Sequence, residues 1–131
     1  MAFDKAFFSS WTQRAQGLLR LVTAFLFMQH GVAKMFGASH VDYFSLIGAA
    51  GAIEVIGGAL VLIGLWVRPA AFVMSGEMAF AYFLAHASQG HVLQPMQNHG
   101  EPAVLYCFIF LFFAAAGAGA WSVDAARGAK A

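Results

Sequence analysis

Two glutamates stand alone inside long apolar segments of this 131-residue chain. Glu54 follows a run of glycine, alanine and aliphatic residues, and Glu77 lies in the next apolar segment. A charged side chain near the centre of a bilayer costs about 2.5 to 3.5 kcal/mol on insertion scales, so it usually faces a bundle interior and marks a functional site. The two carboxyls are therefore the first candidates for catalytic residues, as carriers of protons.

A second group of polar residues lies in the first apolar segment. His30 and Lys34 are four residues apart and share one helix face, and Arg20 projects within about 40 degrees of Lys34 on a helical wheel. We expect this stripe to face the bundle interior, where Arg20 or Lys34 would orient a ligand head group and His30 would donate a proton or a hydrogen bond. An alternative for Lys34 is that its amine extends to the outer membrane interface.

The composition indicates a membrane protein. Only 10% of the residues are charged and 61% are hydrophobic, whereas an ordinary soluble domain has about 25% charged residues. The net charge of +1 gives no basis for nucleic-acid binding. Cys107 is the single cysteine, so an intrachain disulfide is excluded.

Four apolar stretches predict membrane-crossing helices at about residues 17–36, 44–67, 69–87 and 103–121. Each stretch is near the length of about 20 residues that a helix needs to cross about 30 Å of hydrocarbon. Pro69 and Pro102 stand where the third and fourth helices begin, a position that tolerates proline. The prediction is an all-α integral membrane four-helix bundle in one domain, with a polar outer loop over residues 88–102.

The basic residues predict the orientation of the chain. Those expected on the side of the termini and the short second connection are Lys5, Arg14, Arg20, Arg68, Arg127 and Lys130, and Lys34 alone lies on the other side. By the positive-inside rule, both termini are cytoplasmic. All five histidines then fall in the outer half: His30, His40, His86, His91 and His99. The outer half is therefore where chemistry is expected.

The two glutamates are predicted to share one depth. Each lies about ten residues from the outer end of its helix, or roughly 15 Å down at 1.5 Å per residue. The short connection makes the two helices antiparallel neighbours, so the carboxyls could approach each other and hold a proton between them. The alternative is that each carboxyl is protonated and only bridges helices, or pairs with Arg20 or Lys34.

The outer loop and the start of the fourth helix add further candidates. Asn98, Glu101 and Tyr106 are expected to close over a cavity lined by the two glutamates and His30, with Glu101 and Tyr106 as ligand-binding residues. Copper and haem are not favoured. Against copper, the methionines are explained as apolar side chains that pack in the core. Against haem, His86 would lie well above His30.

Several spaced motifs together resemble a known family. In chain order they are Arg20, His30-Gly31-x-x-Lys34, Gly51-x-x-Glu54-x-x-Gly57-Gly58, Gly64-Leu65, Arg68, Asn98, Glu101, Leu105-Tyr106 and Gly117-x-Gly119-x-Trp121-Ser122-x-Asp124. From Gly17 to Asp124, this order resembles the DoxX family of small bacterial membrane proteins.

The resemblance implies a four-helix protein of the bacterial inner membrane that is associated with redox chemistry. Its motif positions carry over to Arg20, His30, Lys34, Glu54, Arg68 and Glu101. We expect a quinone-interacting subunit that has no electron-carrying cofactor of its own, so a larger redox complex would supply the electrons. The alternatives are a non-catalytic accessory subunit that docks such a complex, a homo-oligomer, or a small proton-coupled carrier.

Overall fold

A computed structural model describes residues 4–37 and 41–128, so His40 and Lys130 lie outside the described residues. All regular secondary structure in these two ranges is helical, which confirms the all-α class. The helices are α1 (Lys5–Phe36), α2 (Leu46–Ile63), α3 (Val67–Ala81), α4 (Glu101–Ala116) and the short α5 (Val123–Ala126). After α3 the helical path continues through a π-helical segment (Tyr82–His86) and a 3₁₀ turn (Ala87–Gln89).

The start of α1 and the end of α4 are among the helix ends that differ from the sequence prediction. α1 begins at Lys5 rather than near residue 17, because the Asp4 carboxylate accepts a hydrogen bond from the N–H of Ala6 and caps a polar first part of the helix that hydropathy does not reveal. α4 ends at Ala116 rather than near residue 121. The next residue, Gly117, has a φ of 91°, which lies outside the helical region and suits glycine.

The four longer helices form two hairpins. α1 packs mainly against α2, α3 packs mainly against α4, and α2 contacts α3. Aromatic rings join α1 to α4: the Phe27 ring centroid lies 5.0 Å from that of Tyr106 and 4.8 Å from that of Phe110. Phe27, Phe110 and Met74 are buried at the centre of the core.

Glycines bring α1 and α2 unusually close. A Cβ added at Gly31 would lie 2.7 Å from Cβ of Glu54 and 2.9 Å from the backbone nitrogen of Val55, and a Cβ at Gly51 would lie 3.1 Å from Cβ of Lys34. Small residues allow such approach between membrane helices. The two helices therefore approach closely where Lys34 and Glu54 project.

At the end of the bundle that carries the termini, side chains hold the backbone that follows α4. Arg20 is fully buried and donates hydrogen bonds to the carbonyl oxygens of Ala118 (2.5 Å), Ala120 (3.1 Å) and Trp121 (2.7 Å). The Gln16 side-chain amide donates to the carbonyl of Gly117 at 2.8 Å. These bonds satisfy carbonyls that no longer have helical partners.

Two further side chains cap helices at the same end. The Arg68 guanidinium donates to carbonyls in the last turn of α4, among them those of Ala114 and Ala115. The Asp124 carboxylate accepts from the N–H groups of Trp66 (2.9 Å) and Val67 (3.0 Å), where α3 begins. The end with the termini, called the inner end below, is therefore tied together through its backbone.

Two helical stretches in the described ranges are long and apolar enough to cross a membrane. They are Leu46–Ile63, with 18 residues, and Val67–Gln89, with 23 residues; the apolar α4 is shorter. Large apolar side chains lie exposed on the outside of the helices, including Phe25, Phe72, Phe80 and Phe108. A surface with this many exposed aromatic groups is typical of contact with lipid or a partner.

We predict that Gly31→Ala destabilises the bundle, because its new methyl group would meet the α2 backbone and force the helices apart. The expected loss is about 1 to 3 kcal/mol of unfolding free energy, measured by thermal or detergent unfolding. Gly76→Ala is the matched control, since a Cβ at that helical glycine would have no described atom within 4 Å beyond its own helix backbone and chain neighbours. Equal stability of the two variants would contradict the close approach of α1 to α2.

Candidate functional site

An ion pair joins α1 to α2 inside the bundle. Nζ of Lys34 lies 2.5 Å from Oε1 of Glu54, a short charge-assisted hydrogen bond. Glu54 is only 1% exposed, whereas 35% of the Lys34 side chain is exposed. The pair therefore has one fully enclosed partner and one that reaches the edge of the bundle.

Glu77 on α3 lies beside this pair. Glu54 and Lys34 are the two charged groups that act on its carboxyl, yet the two carboxyls do not form a well-aligned hydrogen bond with each other. Oε2 of Glu54 and both carboxyl oxygens of Glu77 are buried without a hydrogen-bond partner among the described residues. One ammonium thus faces two carboxyls, and one acid is left without a countercharge or a donor. Buried polar atoms are rarely left so in folded proteins.

A cavity of about 290 Å³ opens between the four helices at the end opposite the termini, called the outer end below. Its apolar walls include Phe27, Met78 and Ala103. The polar side chains that line it are His30, Lys34, Glu54, His86, His99 and Tyr106. The cavity thus combines aromatic walls, three imidazoles, a phenol and the buried ion pair.

His30 and Tyr106 form one wall of the cavity. Their rings meet edge to face with centroids 6.0 Å apart, and the Tyr106 ring stacks on Phe110. The part of the chain that the structure describes provides no hydrogen-bond partner for the His30 ring or the Tyr106 hydroxyl. Both groups are therefore free to donate to a ligand in the cavity.

The loop before α4 contributes His99 to the cavity and is held by Asn98. The buried Asn98 amide donates to the Tyr82 hydroxyl at 3.0 Å, and that hydroxyl donates to the carbonyl of Val92 at 2.6 Å. The backbone carbonyl oxygen of Asn98 lies 3.1 Å from Nδ1 of His86. This network fixes the His86 ring. His99, the residue after Asn98, takes a left-handed backbone with a φ of 61° and lines the cavity.

The structure brings most of the sequence-predicted site residues together. His30, Lys34, Glu54 and Tyr106 line one cavity, and Glu77 neighbours the ion pair from α3. Glu101 is exposed in the first turn of α4 and does not line the cavity, although the adjacent Pro102 does.

Arg20 lies elsewhere, at the inner end, with its guanidinium on backbone carbonyls. His86 and His99 line the cavity, but neither was among the predicted site residues. The signal that pointed to them was the clustering of all histidines in the outer half of the chain.

The comparisons agree with the motifs in the sequence. The DoxX family model matches residues 15–87, more than half of the chain. The chain belongs to the DoxX family. A relative from Haemophilus influenzae, described as an uncharacterized protein, is 42% identical over 114 residues, which cover 81% of this chain and 85% of the relative. No solved structure gives a significant match.

DoxX proteins are membrane-associated, in accord with the exposed apolar helix surfaces. The matched region of the DoxX family holds His30, Lys34, Glu54 and Glu77, and it ends within the 3₁₀ turn at residue 87. His99 and Tyr106 lie beyond it. The ion pair and its neighbouring acid therefore lie within the family region, whereas one side of the cavity is built by the later part of the chain.

A double-mutant cycle checks the ion pair. Lys34→Met and Glu54→Gln should each lower the unfolding free energy, with a coupling of about 1 to 3 kcal/mol, because the two groups are in direct contact. Lys34→Met combined with Glu101→Gln is the control. Its coupling should stay below about 0.5 kcal/mol, because Glu101 is exposed and makes no ion pair with Lys34. Additive effects at Lys34 and Glu54 would contradict the contact.

A second prediction separates a structural from a ligand-binding role for Arg20. Arg20→Met should cost about 2 to 4 kcal/mol of unfolding free energy, because three backbone carbonyls lose their donor. Ligand binding in the cavity by the protein that remains folded should not change, since Arg20 does not line the cavity. The opposite result, full stability with lost binding, would restore Arg20 as a ligand-binding residue.

Proposed function

We propose that this DoxX-family protein crosses the bacterial cytoplasmic membrane with four helices and cytoplasmic termini, and that it binds a quinone-like ligand in its outer cavity as a subunit of a redox system. The membrane placement is supported by family membership and by the apolar outer surfaces of the helices. The topology is supported by the basic residues: Arg20, Arg68 and Arg127 belong to the inner end, and Lys34 to the outer end.

The observation that carries the proposal is the pairing of free donors with aromatic walls in one cavity. A quinone head group is a flat ring with two carbonyl acceptors. The Tyr106 ring offers a surface for such a ring to pack against, and the His30 ring and the Tyr106 hydroxyl offer donors. A volume of about 290 Å³ is ample, since an apolar cavity of about 150 Å³ accepts benzene.

The ion pair at the cavity contains the group that would transfer protons to the quinone. Reduction of a quinone to a quinol consumes two electrons and two protons, and the electrons would come from a partner redox protein. Glu54 lines the cavity and has one oxygen without a hydrogen-bond partner, so it is placed to take up a proton and pass it on. Lys34 holds the other oxygen and keeps the carboxyl oriented.

A specific observation favours the accessory-subunit alternative as the second candidate. Leu93 and Met96 of the outer loop are 93% and 76% exposed. Large apolar side chains with this exposure on a polar loop are typical of a protein-docking surface. In this alternative the loop docks a larger membrane complex and the cavity has no ligand.

Quinone binding by matched histidine variants tests the proposal. The protein in lipid nanodiscs should bind decylubiquinone, and His30→Ala or Tyr106→Phe should each weaken binding by about tenfold, as expected for one lost hydrogen bond. His91→Ala is the control, because His91 is exposed in the loop, its side chain bonds to Gln94, and it does not line the cavity. Equal affinities in all four proteins would contradict the proposal.

An experiment on the intact complex distinguishes the quinone-binding function from the accessory-subunit alternative. If Glu54→Gln leaves assembly and turnover of the co-purifying redox enzyme unchanged, the accessory-subunit alternative replaces the quinone-binding function. Loss of turnover with assembly retained supports the proposed proton role.

A further inference from the structure

A second opening, the α2/α3 groove, lies on the outside of the bundle. It has a volume of about 470 Å³ and is lined mainly by apolar residues of the two helices, including Ile53, Val73, Phe80 and Leu84. Its two charged lining residues are Lys34 and Glu77. Phe80 and Leu84 are more than half exposed on this face, so under the proposed membrane placement the groove opens toward lipid.

The cavity and the groove meet at Lys34, Glu54 and Glu77. Lys34 and Ala81 line both openings, whereas Glu54 lines only the cavity and Glu77 only the groove. Lys34, Glu54 and Glu77 therefore stand between a polar cavity on one side and an apolar groove on the other.

Charge balance determines how many acidic protons Lys34, Glu54 and Glu77 bind together. Lys34 bonds one oxygen of Glu54, while the other Glu54 oxygen and both Glu77 oxygens are buried without a partner. The charged groups that act on Glu77 are Lys34 from α1 and Glu54 from α2, and α4 contributes none within the described ranges. One ammonium neutralises one carboxylate. A single proton then neutralises the remaining acid, which is far less costly than an unpaired buried charge.

We propose that Lys34, Glu54 and Glu77 share one proton that resides on Glu77, and that rotation of the Glu77 side chain brings it to lipid-soluble hydrogen-bond acceptors in the α2/α3 groove. The occupant class is a small apolar molecule with a weakly basic nitrogen or a carbonyl oxygen. This site depends on the membrane placement proposed above, but not on quinone binding in the cavity.

Dicyclohexylcarbodiimide is a lipid-soluble probe of this chemistry. A protonated carboxyl gives its proton to one carbodiimide nitrogen, and the carboxylate oxygen adds to the central carbon. The acyl group then moves to nitrogen, so all atoms of both reactants remain in a stable adduct that peptide mass spectrometry locates. In membranes we expect the adduct on Glu77. Glu101 is the control because it is exposed at the start of α4 and does not line the groove. It should react at least about tenfold more slowly, since an apolar probe concentrates away from water.

Two variants test whether the proton is shared. In Glu54→Gln, Lys34 has only Glu77 as a neighbouring acid, so Glu77 becomes the charged partner and labelling should fall by about tenfold or more. In the double variant Lys34→Met, Glu54→Gln, Glu77 has neither neighbour, becomes neutral again and should regain its labelling.

The outcomes that overturn the proposal are equally specific. Absence of an adduct on wild-type Glu77, or equal reaction at Glu101, would exclude a protonated acid that is accessible from the groove. This test uses the wild-type protein, so it does not depend on the folding of a variant. Labelling of Glu54→Gln at the wild-type rate would show that Glu77 holds its proton alone. Labelling of Glu77 combined with quinone affinity that His30→Ala leaves unchanged would refute the cavity function while this inference stands.

Discussion

The bond between Lys34 and Glu54 is the interaction on which the outer half of the protein depends. Burying a carboxylate is favourable only if a partner compensates it, and here that partner comes from another helix. The contact requires α1 and α2 to approach closely, which Gly31 and Gly51 permit. Once the two helices are held in this way, the ion pair becomes part of the cavity lining and a neighbour of Glu77.

The two ends of the bundle use polar side chains in opposite ways. At the inner end, Arg20, Arg68 and Asp124 bond to backbone groups where helices end or begin. At the outer end, His30 and Tyr106 line an opening without such bonds. The inner end therefore supplies rigidity, and the outer end keeps donors available.

The sequence predicts the composition of the site better than the ends of the helices. Glu54, His30 and Lys34 were placed together because an ionisable residue in an apolar helix must face inward. The start of α1 and the role of Arg20 were not predictable in this way. The first depends on a local cap, and the second depends on a backbone segment after α4 that folds back against α1. His86 and His99 were missed because their position depends on the Asn98 network, which has no signature in hydropathy.

The π-helical segment Tyr82–His86 suggests how the cavity could arise within an ordinary helix hairpin. A π turn holds one more residue than an α turn, so it acts like a single-residue insertion that leaves the helix on either side intact. The extra residue rotates everything that follows, including His86, relative to α3. The same chain without the extra residue would present a different side chain to the same opening. One inserted or deleted residue at this point would therefore change the identity of that cavity wall and leave the ion pair in place.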